Sequence, residues 1–108
     1  MLDIYLTMET HSHPKLKSIA LDQALKALGD PVLLSIVKQL LKDASQEKAC
    51  GTFEYSVTKA TFSHHLKILQ DAGIIRRRQE GTKKMTSLRS EEIEKRFPGL
   101  LSMIISTK

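Results

Sequence analysis

Apolar residues recur at helical spacing as far as Gly73, two short alternating segments follow around Gly81, and helical spacing returns from Ser90. Together these observations predict a mainly α fold with one small β-hairpin, a winged helix-turn-helix in which the hairpin directly follows the motif's second helix. The 108 residues suit a single domain, and a second is not expected.

Residues 1–13 show no clear period, so a loosely ordered arm is expected there, with Ile4, Tyr5 and Leu6 as a candidate short strand; the domain proper is placed at 14–108. After Pro14, Leu21, Ala24, Leu25 and Leu28 stand three and four apart and predict a first helix at 15–29. Gly29-Asp30-Pro31 ends it and starts the next, because Asp caps a helix and Pro is tolerated at its first position. Leu33, Ile36, Val37, Leu40 and Leu41 form the apolar stripe of that second helix.

Asp43 to Lys48 is polar and reads as a loop. Cys50 to Ser56 reads as one short helix, although Gly51, Thr52 and Tyr55 are indifferent helix formers. Thr58 is placed as the N-cap of a helix running to about Ala72 and closed by Gly73. Phe62, Leu66 and Leu69 fall within about 60° of one another on that helix and point inward. Ala60, Ser63, His64 and Lys67 take the opposite face, where a small residue permits close approach and the polar groups can bond phosphates or base edges; a plainly solvated face is the alternative. His65, on the flank, is expected to be packed and hydrogen-bonded.

Ile74 to Gln79 and Lys83 to Leu88 predict two strands joined through Glu80-Gly81-Thr82, with Gly81 supplying the turn conformation. Side chains alternate along a strand, so Arg76 and Arg78 share one face and Arg77 takes the other, and the triplet cannot bind a single ligand. The tip, with Gln79, Thr82, Lys83 and Lys84, is suited to lie against a phosphate backbone.

Ser90 is expected to cap a last helical region, with Glu91 and Glu92 near its positive end. Pro98 divides that region, leaving Ile93 and Phe97 in one piece and Leu100, Leu101, Ile104 and Ile105 in another. A chain this short offers little interior for these residues, so a homodimer paired through helices at 15–29 and 90–106 is the preferred expectation, with ordinary core packing as the alternative.

The net charge is +5, and its distribution is uneven. From Lys59 to Arg89 there are eight basic and two acidic residues, against nine basic and ten acidic in the other 77. A surplus confined to one helix and one hairpin is the footprint of a polyanion-binding surface. No apolar run approaches the ~20 residues of a membrane span, and the start lacks the pattern of a secretory signal, so a cytoplasmic protein is expected. The single cysteine, Cys50, allows no internal disulfide and no Cys-rich zinc module. With no nucleophile elbow, glycine-rich phosphate loop or metal-ligand set, an enzyme is not expected.

Leu25 to Ile36 (LKALGDPVLLSI), Thr61 to Ile75 (TFSHHLKILQDAGII) and EGTKK at the hairpin tip resemble, in order and spacing, the ArsR family of bacterial winged-helix repressors, over about residues 20–101. The resemblance implies a homodimeric repressor that binds a partly palindromic duplex DNA operator and is released by a signal. It places Lys59, Ala60, Ser63, His64 and Lys67 on the recognition helix and Gln79, Gly81, Thr82, Lys83 and Lys84 in the wing. It also implies a dimer built from the first and last helices, through Leu21, Leu25, Phe97, Leu100, Leu101 and Ile104. Two departures stand out: Leu33 occupies a position where the family often has Arg, and the first helix-turn-helix element, CGTFEYS, is short. Metal-sensing members use a Cys-x-Cys pair or histidine-bearing sites on the last helix. This chain has one thiol and no histidine in residues 90–108, so no metal or cofactor is expected, and His11-x-His13 reads as part of a polar arm. Cys50 reads as an idle thiol rather than a redox switch. The competing expectation is a winged-helix protein-interaction module with only non-specific DNA affinity.

Overall fold

The computed structural model describes residues 19–107, so the expectations for the arm, for Ile4-Tyr5-Leu6 and for His11-x-His13 lie outside the described residues. The first described helix, α1 (Leu21–Leu28), turns Ala24, Ala27 and Leu28 inward and leaves Leu21 and Leu25 outside. Asp30 then accepts hydrogen bonds from the backbone amides of Val32 (2.8 Å) and Leu33 (3.3 Å), satisfying two donors that the first turn of a helix leaves unbonded. Pro31 occupies the first position of α2 (Pro31–Lys42), where its missing N–H costs nothing.

Helix α2 is the centre of the fold. Leu33, Ile36, Val37 and Leu40 are all at most 2% exposed, and the helix packs on α1, on the helix that Thr58 begins, on the sheet and on the last helix. Burial of each such side chain contributes on the order of 1.5–3 kcal/mol. Leu33 is therefore a core residue, not a surface contact.

The polar stretch after α2 is not all loop, as its composition predicted. Glu47–Ala49 forms a strand, β1, pairing antiparallel with residues 85–87. Three residues with no apolar alternation carry no strand signal of their own; the open edge of the hairpin recruits them. Cys50–Ser56 is likewise not one helix. Only Cys50–Thr52 makes a 3-10 turn, and the backbone is extended at Phe53.

That extended segment is held by side chains. The Gln39 amide donates to Glu54 O (2.8 Å) and accepts from Glu54 N (2.9 Å), imitating a strand partner. Tyr55 stacks on Phe62 at 3.9 Å between ring centroids, and Phe53 lies tilted against the same ring at 5.6 Å. The segment thus reaches α3 (Lys59–Asp71) in a fixed direction. Thr58 caps α3 by accepting from Thr61 N at 3.1 Å. At its other end Ile74 N bonds Leu69 O and Gly73 N bonds Gln70 O, with Gly73 at φ +77°, the left-handed conformation that this helix ending requires.

The hairpin is β2 (Ile75–Glu80) and β3 (Lys83–Leu88), and the three-stranded antiparallel sheet runs β1-β3-β2. Glu80 pairs with Lys83 across the two-residue Gly81-Thr82 turn. Two short helices, α4 (Ser90–Arg96) and α5 (Leu100–Ser106), complete the fold on either side of Pro98 and Gly99. Ser90 does not cap α4 as predicted. Arg89 holds the cap position without a side-chain cap, and the Ser90 hydroxyl instead bonds the Gln46 side chain.

The C-terminal residues correct another expectation. Phe97, Leu100, Leu101 and Ile104 lie in the protomer's own core, each at most 9% exposed. The chain has interior for them because α5 closes over α2, with Leu34 and Leu41 packed at the margin.

Candidate nucleic-acid interface

Lys59, Ala60, Ser63, His64 and Lys67 are all exposed on α3, while Phe62, Leu66 and Leu69 are buried on its opposite face. The burial of that stripe fixes the outward face. At the wing, Gln79, Gly81, Thr82, Lys83 and Lys84 are exposed too, and the Gln79 amide folds back to donate to Gly81 O at 3.2 Å.

Between helix and hairpin lies a groove of about 610 Å³. It brings Lys59 and Ser63 of the helix together with Thr82, Lys83 and Lys84 of the wing, and Tyr55 and Thr52 also line it. None of its described lining residues is acidic. Ala60, His64 and Lys67 are not part of that lining; they continue the helix face beyond it.

The ion pairs narrow the basic surface considerably. Arg76 and Arg89 both reach Glu92, at 3.1 and 2.6 Å, and Arg89 is a buried residue. Arg78 binds Glu47 across the sheet at 2.9 Å and Glu80 at 2.5 Å, and these bonds raise its pKa above the ordinary guanidinium value. Lys67 pairs with Asp71 at 3.1 Å. Among the described residues, no ion pair ties Lys59, Lys83 or Lys84 to a carboxylate. Lys59, Lys83 and Lys84 all line the groove.

Arg77 was set apart from its neighbours by strand alternation, and it faces the groove. Its Nε donates to Gln70 Oε1 at 2.7 Å, and its partial burial lowers its pKa, an effect opposed by the nearby Cys50 and Asp71. Gln70 is fully buried. A signal for it was present in the sequence, since Gln70 stands four residues after Leu66 and so borders the inward stripe. Arg77 pairs in register with the buried Thr86, whose hydroxyl lies 3.5 Å from the half-buried Cys50 thiol. Helix, both strands and the 3-10 turn therefore meet in one polar seam under the groove.

His65 is half-buried as expected, but its Nδ1 has no hydrogen-bond partner among the described residues. No group of three or more His, Cys, Asp or Glu among the described residues could hold a metal ion. No described helix is long and apolar enough to cross a membrane.

On the other side of the molecule, Leu21 and Leu25 of α1 are 53% and 46% exposed, and Met103 and Ile105 of α5 are 56% and 60% exposed. An apolar groove of about 290 Å³ runs here, lined by Leu25, Leu28, Leu34, Leu100, Met103 and Ile104 among others.

Comparison with known proteins agrees with this architecture. The family model described as "Bacterial regulatory protein, arsR family" matches residues 30–77, from the cap of α2 into β2. An HTH-type transcriptional regulator of Methanocaldococcus jannaschii is 42% identical over 60 residues, covering 56% of this chain and 67% of that protein. The HTH-type transcriptional regulator YceK of Bacillus subtilis is 32% identical over 84 residues, covering 76% and 83%. The arsenical resistance operon repressor of Bacillus subtilis is 36% identical over 81 residues, covering 75% and 73%. A crystal structure of an ArsR family transcriptional regulator superposes with a TM-score of 0.59 at 18% identity, over 82% of this chain and 93% of that one, a likeness of fold.

Proposed function

The chain belongs to the arsR family of bacterial regulatory proteins and is a transcriptional regulator with a DNA-binding helix-turn-helix; on that premise we propose that it is a sequence-specific repressor acting as a homodimer. The observation that carries this reading is the groove: α3 and the wing, separate in sequence, converge with lysines and hydroxyls and no acidic lining residue. Ser63 and His64 stand on the exposed face that would meet base edges, while Lys83 and Lys84 at the tip have the reach and charge for phosphates. Side chains on a helix in the major groove carry sequence information, and wing cations fix register and affinity.

The dimer reading draws support from the exposed leucines of α1 together with Met103 and Ile105 of α5. With Phe97, Leu100, Leu101 and Ile104 occupied inside the protomer, Leu21, Leu25, Met103 and Ile105 are the exposed large apolar groups of α1 and α5 among the described residues, and Leu100 and Ile104 contribute only their edges at the groove. In this reading a dimer covering two half-sites about one helical turn apart represses by occupying promoter DNA that polymerase would need.

Selection of bound sequences from random duplex DNA tests the proposal. The expected product is a pair of inverted half-sites, with binding that weakens steeply as salt rises because counterions leave each phosphate contacted. Recovery of no preferred sequence, with a stoichiometric protein partner captured in its place, would make the chain an interaction module instead.

A further inference from the structure

Among the described residues, the aromatic side chain at position 55 stands apart from the other large apolar groups that are exposed. Leu21, Leu25, Met103 and Ile105 belong to α1 and α5, whereas Tyr55, 40% exposed, lines the cationic groove together with Lys59, Ser63, Lys83 and Lys84. We infer that Tyr55 is a DNA-backbone contact, its hydroxyl donating to a phosphate of the strand that runs between the recognition helix and the wing. The inference rests on the DNA-binding reading and adds a residue to it from outside both of those elements.

Position, rigidity and chemistry support the assignment. A helix in the major groove and a hairpin reaching the next groove straddle one sugar-phosphate strand, because that strand separates the two grooves. Tyr55 stacks on Phe62, which is only 3% exposed, so its ring lies at the flank of α3 and not on the outward face of Ala60, Ser63, His64 and Lys67. What flanks a helix seated in a groove is the backbone wall. The ring is also held in advance: its plane is 6° from that of Phe62 at 3.9 Å between centroids, and the backbone just before it is clamped by the Gln39 amide through Glu54. A side chain ordered before binding loses little freedom in making its contact. The hydroxyl has no hydrogen-bond partner among the described residues, and a phenylalanine could stack on Phe62 as well, so packing gives the oxygen no role. Tyrosine hydroxyls do bond phosphate oxygens, whose charge strengthens the bond. Tyr55 borders a smaller cleft too, with Ser35, Glu54 and Ser56, but a carboxylate there repels an oxyanion, and no described lining residue of the larger groove is acidic.

The test uses the full chain and a selected duplex, comparing wild type with Tyr55→Phe, which keeps the stacked ring and removes the hydroxyl alone. Affinity is expected to fall about fivefold for each half-site, on operator and non-operator DNA alike. The slope of log affinity against log salt should stay at the wild-type value, because an uncharged donor releases no counterion. Wild-type affinity, a flattened slope, or a loss confined to one base position would each overturn the inference. Phosphate ethylation then locates the contact. Ethylation between the recognition-helix bases and the groove covered by the wing is expected to weaken the wild-type complex, and at one of those phosphates to weaken the Tyr55→Phe complex less. Indifference of the wild type at all of them, which needs no variant to fold, would overturn the assignment, as would identical ethylation patterns for the two chains. A wild-type chain that binds no duplex would defeat the underlying reading too, an outcome visible in the unmutated arm alone.

Discussion

The groove beside α3 and the groove beside α5 have opposite chemistry in one small molecule. The first collects Lys59, Lys83, Lys84 and Arg77 around hydroxyl groups, and the second collects Leu25, Leu28, Leu34 and Met103. Cations crowded in a groove with no acidic lining residue repel one another until a polyanion arrives. Leu25 and Met103, at about half exposure, order water until another apolar surface displaces it, which stabilises by about 25 cal/mol for each Å² covered. On the proposed reading duplex DNA occupies one groove and a second copy the other, so changes confined to one should fail differently from changes in the other.

The largest separation is expected from Leu25→Lys with Met103→Lys. Both positions are exposed in the protomer, so folding stability should move by no more than about 0.5 kcal/mol. The solution mass should drop to the 12.2 kDa of one chain, and operator affinity should fall about 100-fold because two linked half-sites become one. Light scattering and gel shift together check this, and a variant that stays dimeric would remove the apolar groove from the interface.

Next comes the opposite side. Lys83→Ala with Lys84→Ala should leave the dimer intact and weaken every duplex about tenfold, with a shallower salt dependence. A smaller and more selective effect is expected from Ser63→Ala or His64→Ala: discrimination between the selected base and its competitors should shrink about fivefold, read from competition with single-position operator variants. Equal losses on all sequences would reassign the helix face to phosphates.

Two further changes probe what holds the cationic side in shape. Thr58→Ala removes the cap of α3 and should cost about 1 kcal/mol in denaturant unfolding. The smallest effect is the pH dependence of Glu92. Hydrogen bonding from Arg89 holds its pKa below the ordinary carboxylate value, against a partial desolvation cost, with Arg89 and Arg76 adding attraction. A folded-state pKa below the unfolded one gives stability that is present at neutral pH and lost as pH falls through the lowered value. Glu92→Gln should therefore melt below wild type at pH 7, and the gap should close below about pH 4. A gap independent of pH would assign the difference to packing.

Much of the architecture was legible because its signals are local. Asp30 and Thr58 cap the helices they precede, and Gly73 and Gly81 sit at positive φ where the chain must turn. The exposed face of α3 follows from the period of Phe62, Leu66 and Leu69. Strand β1 was illegible because Glu-Lys-Ala has no preference that its partner strand does not impose. The short helix read at Cys50 to Ser56 gave way to tertiary contacts, as Gln39 and Phe62 hold the segment extended. The fate of the C-terminal apolar residues depended on whether α2 had a free flank, which no pattern within residues 90–106 encodes.

The sequence by itself determined the order of the longer helices and the hairpin, the turns at Gly73 and Gly81, the outward face of α3 and the region that holds the positive surplus. Periodicity, caps and composition act over a few residues, and so they can be read along a chain. Tertiary structure alone decided which of those charges remain available. Arg78 meets Glu47 from 31 residues away, Arg76 meets Glu92 from 16, and Arg77, between them, turns to Gln70 and the groove. Charge is additive along a sequence, but its neutralisation depends on distances of a few ångströms between residues that only folding brings together.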